Sequence, residues 1–480
     1  MISKLSTENL IQIFYNLNKC TDLHSCLLVN RFWCRIIVQI LWEKPITPKI
    51  SNKAFKSVVR TYLKCLNRES IRRIKDIKSF TVELSDEMPM FNYPEFLRDL
   101  VVDSKFDHYV RSTVGYQEQL KKDILFSELA RLLCRRSIKL RSLSISPCNM
   151  LSHFVTLLTR NDNLSQIKKF TFDGDFIYTT PLYKDCELIY ALSQVSQDIT
   201  HVRITNIYKR SLGDSLVTLL NSQKNLRLLD LNCPVIQNVK YFESIFSKLK
   251  SPQSIFSLSF ENIDFSCSAK RSINTLEKSR NLKKLKMIEC VNCTLLYEVM
   301  RSWENLVEFT YHAHKFNDNL EFLLTMMRLS SNSLRYLDIF WIREDGNFLK
   351  EKSRIINCIT QYCAQLTSLK LRSLHCEDLF TLWHSCKQLE AFSFICCEDS
   401  GWNDCLEELG KYLPHSIKIL KIGNWNGLPF NSVALGCFLR GCKNSLNKLE
   451  LCSIRKLSEN SEYINVLNSS GVHYEFLNVV

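Results

Sequence analysis

Apolar residues recur along most of this chain in one short pattern, apolar-x-x-apolar-x-apolar. It appears at Leu140-Leu143-Ile145, Ile167-Phe170-Phe172, Ile199-Val202-Ile204, Leu226-Leu229-Leu231, Ile255-Leu258-Phe260 and Leu282-Leu285-Met287. It continues at Leu306-Phe309-Tyr311, Leu334-Leu337-Ile339, Leu366-Leu369-Leu371, Leu389-Phe392-Phe394, Ile417-Leu420-Ile422 and Leu446-Leu449-Leu451. Successive copies start 23 to 32 residues apart, too regular a spacing for a chance property of common residues. The two-residue alternation within each copy predicts a short strand with its apolar side chains on one side. Between copies lie amphipathic stretches such as Leu216-Val217-Thr218-Leu219-Leu220 and Leu320-Glu321-Phe322-Leu323-Leu324, suited to a returning helix. One strand–helix unit cannot bury its apolar face alone, so neighbouring units must stack.

The copies resemble leucine-rich repeats of the divergent, cysteine-containing kind. That family places Asn or Cys three residues past the third apolar position; Cys148, Cys290 and Cys397 fit, while Asp175, Pro234, Ile342 and Trp425 stand at other copies. The expected fold is α/β: a curved parallel sheet with outer helices, a leucine-rich-repeat solenoid over residues 137–480. Residues 46–136 read as a linker with divergent first repeats, at Ile77-Phe80-Val82 and Leu97-Leu100-Val102. The stretch from Asp103 to Leu125 is the least regular and reads as an insertion or loop.

Residues 1–45 lack the repeat and predict three short helices. Ser6 or Thr7 caps the first, whose residues Leu10, Ile13, Phe14 and Leu17 share a face at helical spacing. Asp22 is positioned to cap the second, and Asn30 the third, which carries Trp33, Ile36, Ile37, Ile40 and Leu41. A bundle this small buries too little surface to stand alone and should dock on the solenoid or on a partner.

Leu5-Ser6-Thr7-Glu8, the helix through Ile13-Phe14, Val29-Asn30-Arg31-Phe32-Trp33 and the closing Leu41-Trp42 together resemble an F-box, with Ser6 where that family has proline. The resemblance implies a substrate receptor of a cullin-RING ubiquitin ligase. The F-box-like module would bind a Skp1-like adaptor and through it the cullin complex, and the repeats would hold the protein to be ubiquitinated. Matching positions assign Leu5, Leu10, Ile11, Phe14, Leu23, Val29, Trp33 and Trp42 to the Skp1-binding set. The alternative reading is a leucine-rich-repeat interaction scaffold without a ubiquitin connection, whose N-terminal helices cap the solenoid.

Composition narrows these readings. The net charge of +14 is spread thinly, without an arginine-rich arm or an aromatic RNA-binding signature, which argues against nucleic acid as a partner. No apolar run is long enough to span a membrane, and Met1 to Leu17 does not read as a secretory signal. The 21 scattered cysteines then read as reduced thiols acting as small apolar residues, in the cytoplasm or nucleus. There is no phosphate loop, no zincin motif and no nucleophile elbow, so an enzyme is not expected and neither is a cofactor. The Cys290-Val291-Asn292-Cys293 step lacks the second ligand pair of a zinc site.

Strand residues between the apolar positions should face outward on the concave side. There Lys284, Lys286, Tyr336, Lys370, Arg372 and Lys421 form a partly basic, aromatic strip, read either as an ordinary solvated face or as a surface for an acidic or phosphorylated segment of a target protein.

Overall fold

The computed structural model describes residues 5–17, 20–47, 50–75, 89–112, 119–137, 139–146, 148, 153–154, 162–174, 183–206, 211–237, 240–267, 270–314, 319–341, 348–397, 401–424, 428–442, 446–453 and 460–477. The candidate copy at Ile77-Phe80-Val82 and the turn positions Asp175, Ile342 and Trp425 lie outside them. Packing divides the chain into two compact units, residues 1–230 with 248–250, and residues 231–247 with 251–480.

Unit 1 begins with α1 (Thr7–Tyr15), α2 (Cys20–Leu27) and α3 (Arg31–Glu43). These bury Leu10, Phe14, Leu23, Ile36 and Ile37 against one another. Asn9 N–H donates to Ser6 Oγ at 3.3 Å, and Trp33 N–H donates to Asn30 Oδ1 at 2.8 Å, so both predicted caps form. Asp22 is no cap: α2 starts two residues earlier and places it in the first turn, where its charge complements the helix dipole. Then come α4 (Asn52–Lys64), α5 (Arg68–Lys75) and α6 (Tyr93–Phe96). Trp42 of α3 packs between Tyr62 of α4 and Tyr93 at the start of α6, with ring centroids 5.6 and 4.2 Å away.

The segment read as a loop is instead largely helical, forming α7 (Ser104–Ser112) and the first turns of α8 (Gln119–Arg136). Phe106 and Val110 of α7 and Leu125, Phe126 and Leu129 of α8 are fully buried. Glu128 of α8, 4% exposed, accepts hydrogen bonds from Arg73 Nη1 (2.9 Å), Arg131 Nη1 (2.8 Å) and Ser70 Oγ, fastening α5 to α8.

The strands of unit 1 are β1 (Asp99–Val102), β2 (Ser142–Ile145), β3 (Lys169–Asp173) and β4 (His201–Thr205), paired in that order and parallel. The described helices between later strands are α9 (Tyr183–Val195) and α10 (Ser211–Ser222). β5 (Leu228–Gln237) carries the division between the units.

Unit 2 repeats the arrangement with β6 (Ser257–Ile263), β7 (Lys284–Ile288), β8 (Glu308–Ala313), β9 (Tyr336–Trp341) and β10 (Ser368–Leu374). It continues with β11 (Ala391–Cys396), β12 (Ile419–Asn424), β13 (Lys448–Ser453) and β14 (His473–Leu477), each parallel to the next. Its helices are α11 (Lys240–Lys248), α12 (Lys270–Glu277), α13 (Tyr297–Met300), α14 (Leu320–Leu329), α15 (Phe348–Tyr362), α16 (Cys376–Ser385), α17 (Trp402–Tyr412), α18 (Ser432–Gly441) and α19 (Ser461–Ser470).

Register explains the sequence period. Leu258, Leu285, Phe309, Leu337, Leu369, Phe392, Leu420 and Leu449 are successive Cα partners, so the second apolar position of every copy in unit 2 forms one row. All are buried, and each contributes about 1.5–3 kcal/mol of burial before entropy is set against it. Helix aromatics meet this inward face, Phe246 on Phe260 at 5.9 Å and Trp402 stacked on Phe394 at 5.9 Å. Asparagine side chains satisfy carbonyls of the preceding repeat: Asn262 Nδ2 donates to Cys233 O (2.7 Å) and Asn319 Nδ2 to Cys290 O (3.0 Å). The architecture is α/β, of the leucine-rich-repeat type.

Candidate functional site

The N-terminal helices separate the motif residues into three groups. Leu10, Phe14 and Leu23 are the core of the bundle itself, and half-buried Ile11 and Trp33 pack against that core, Trp33 edge-on to Phe14 at 5.0 Å. Trp42, also half-buried, packs against Tyr62 and Tyr93. Leu5 and Val29 are the members of the set left exposed, Val29 at 58%.

Three further exposed apolar residues were not in the motif-derived set: Ile13 (46%), Leu28 (71%) and Phe32 (50%). Ile13 does not join the apolar face of α1, whose core contacts are made by Leu10 and Phe14 with Ile11 packed beside them. Leu28, Val29 and Phe32 fall within five positions at the α2–α3 turn, a run whose apolar character is visible in the sequence although its exposure is not. Large apolar side chains placed together without cover are the usual mark of a docking surface.

On the repeats, burial alternates along each strand, and the residues between the apolar rows lie on the open face of the sheet. In unit 1 this face carries an ion pair across β4 and β5, Arg203 Nη2 to Asp230 Oδ2 at 2.8 Å.

In unit 2 the residues of the expected strip are spread over β7, β9, β10 and β12, and much of the charge near them is answered within the sheet. Lys284 Nζ lies 2.6 Å from Glu308 Oε1, its register partner. Lys370 Nζ stands 3.4 Å from Asp338 Oδ2 and 5.4 Å above the Tyr336 ring. Asp338 also accepts from Tyr336 OH (3.0 Å) and faces His312 Nε2 (3.1 Å). Burial pushes its carboxyl up, but the hydrogen bond and charge of His312, the charge of Lys370 and the Tyr336 hydroxyl outweigh that and hold it below its ordinary range. The Arg372 guanidinium stacks over Phe340 at 5.0 Å and donates to the Trp341 carbonyl. Lys286 is exposed and Lys421 half-buried beside Cys452. The strip is therefore a mixed surface of cations, carboxylates and rings, preorganised by its own hydrogen bonds.

No family model matches the chain, and the search of curated proteins gives no match. Among solved structures it is similar to the leucine-rich-repeat-containing protein LegL7 from Legionella pneumophila, with 14% identity, 60% of this chain and 94% of that chain covered, and a TM-score of 0.37. The register and burial of the repeats themselves define the fold.

The cysteines are mostly interior. Burial pushes the thiols of Cys134, Cys290 and Cys442 up to about 12, and Cys290 Sγ donates to the Phe260 carbonyl at 3.5 Å. Cys293 is buried beside it, its N–H bound by Asn319 Oδ1 at 2.9 Å. Among the described residues no group of three or more His, Cys, Asp or Glu side chains is placed to hold a metal ion, and no helix is long and apolar enough to cross a membrane.

Proposed function

We propose that this chain is a protein-interaction adaptor: the N-terminal module docks a Skp1-like subunit of a cullin-based ubiquitin ligase, and the open sheet face of the repeats holds a target protein. The observation that carries the first half is the exposed run Leu28, Val29 and Phe32 on a bundle whose own core is already complete without it. On this reading Leu5 and Val29 touch the partner, while Leu10, Phe14, Leu23 and Trp33 shape the bundle that presents them. Ubiquitin transfer belongs to other subunits, and this chain contributes proximity. A cytoplasmic or nuclear location fits that role.

The test is co-purification of the full chain with Skp1. The wild type is retained, and the double variant Leu28→Glu, Val29→Glu loses at least about tenfold in affinity, the scale of one central contact at an interface. Both side chains face solvent, so an unchanged circular dichroism melt separates lost binding from lost fold. A folded wild-type chain that does not retain Skp1 overturns the ubiquitin-ligase reading.

A further inference from the structure

Two parallel strands end side by side at a histidine and a cysteine. Leu374, the last residue of β10, is the register partner of Cys396, the last of β11. The residues that follow, His375 and Cys397, are therefore neighbours, and Cys397 N–H donates to the Leu374 carbonyl at 3.2 Å. Cys397 Sγ lies 3.1 Å from His375 Nδ1.

The backbone of His375 is held in place. Its amide N–H donates to Asp378 Oδ2 at 2.9 Å, and Asp378 is itself fixed by Lys352 Nζ at 2.8 Å. More thiols lie nearby: Cys396 from β11 and Cys376 from the start of α16 adjoin Cys397, and Cys405 from α17 adjoins Cys376. Cys396 and Cys376 are buried, and desolvation pushes both thiols well up, which keeps them protonated. Cys397 differs in being half-buried and in having an imidazole within hydrogen-bond reach.

We propose that Cys397 is a nucleophilic thiol site, with His375 as its base, open to small soft electrophiles including hydrogen peroxide. With Nδ1 unprotonated the thiol donates to it, and proton transfer gives a thiolate–imidazolium pair. The thiolate attacks one peroxide oxygen, an S–O bond forms as the O–O bond breaks, and the departing hydroxide takes the imidazolium proton to leave as water. Sulfur is oxidised to the sulfenic acid, peroxide is reduced to water, and His375 returns neutral. Because the site lies past the strand ends, its chemistry is independent of the docking proposed for the N-terminal module.

The experiment is alkylation of the full-length chain by iodoacetamide at pH 6 and pH 8, read peptide by peptide by mass spectrometry. Exposed Cys20 serves as the internal reference. An ordinary thiol slows on the order of 50–100-fold over that interval, because the thiolate fraction falls with it. Cys397 is expected to slow less than about fivefold, and His375→Gln, which keeps the backbone N–H to Asp378, restores the steep fall. Treatment with hydrogen peroxide followed by dimedone is expected to label Cys397 in the wild type. Buried Cys290 and Cys363 stay unlabelled while the fold is intact, which separates loss of the base from unfolding. Overturning results are a Cys397 profile parallel to that of Cys20, an unchanged profile in a folded His375→Gln variant, or absence of the dimedone adduct.

Discussion

Lys352 of α15 places its ammonium 2.8 Å from Asp378 Oδ2 of α16, with the lysine side chain only 3% exposed. The same lysine reaches the Ser373 carbonyl at 3.5 Å, and Ser373 has a left-handed backbone at φ 51°. One buried cation thus ties a helix, the start of the next helix and the irregular end of β10.

Removing it leaves Asp378 without its cation in a poorly solvated place. Lys352→Ala is expected to cost about 3–5 kcal/mol in urea unfolding, as for other broken buried pairs. Replacing both partners with apolar residues, Lys352→Met with Asp378→Leu, is expected to cost less than the single change, offset in part by loss of the Asp378 bond to His375 N–H. A single variant no less stable than wild type would show that the pair contributes nothing.

Two glycines of α17 and α18 set how closely those helices pack, and a third does not. A Cβ built on Gly410 would stand 2.4 Å from the Phe438 carbonyl oxygen, and one on Gly441 would stand 2.8 Å from the Gly410 carbonyl carbon. Gly436, one turn earlier in α18, would meet nothing nearer than 3.5 Å. Gly410→Ala is expected to destabilise by about 1–3 kcal/mol through forced separation of the helices. Gly436→Ala is expected to stabilise by up to about 1 kcal/mol through helix propensity. Paired thermal melts check the opposite signs.

Asp338 gives the open face a pH signature. Its folded carboxyl ionises below the ordinary value of 3.8, so the stabilisation it brings is complete above that pH and is lost as pH falls through the folded value. The stability gap between wild type and Asp338→Asn should therefore be widest at neutral pH and narrow below about pH 4. Urea titrations at pH 7, 5 and 3 measure it. A gap that does not change with pH would remove the carboxylate from the account of this face.

The buried carboxylate of Glu128 makes a fourth case. Glu128→Ala strips both Arg73 and Arg131 of a shared acceptor and frees Ser70, so α5 should detach before the rest of unit 1. Limited proteolysis is expected to cut between α5 and α6 several-fold faster in the variant, at unchanged rates elsewhere. Equal cutting rates would argue against the attachment.

The repeat was legible because each copy writes its core into six residues, and the register then puts the same position of each copy in one row. β14 was missed for the same reason: Gly471 occupies the first apolar position, leaving Tyr474 and Phe476 as an incomplete copy. The helices within the stretch from Asp103 to Leu125 are less legible because Phe106 and Val110, four residues apart at helical spacing, stand among polar neighbours. In the N-terminal module a motif names positions without saying which way they face. Phe14 and Val29 fit the pattern equally well, yet one is the centre of the bundle and the other is open to solvent. The His375–Cys397 pair was hidden further, since its members lie 22 residues apart and meet only through the register of β10 and β11.

That register also fixes the order in which unit 2 comes apart. Tyr474 and Phe476 stand opposite Leu449 and Leu451 in the ladder, but they are half-buried where those leucines are wholly enclosed. β14 therefore holds its place with less apolar contact than the rungs before it. In a stack where each rung leans on its neighbours, opening starts at the loosest rung and travels inward one rung at a time. The chain should behave like a zipper with its slider at β14, its amides exchanging with solvent in a graded sequence rather than all at once.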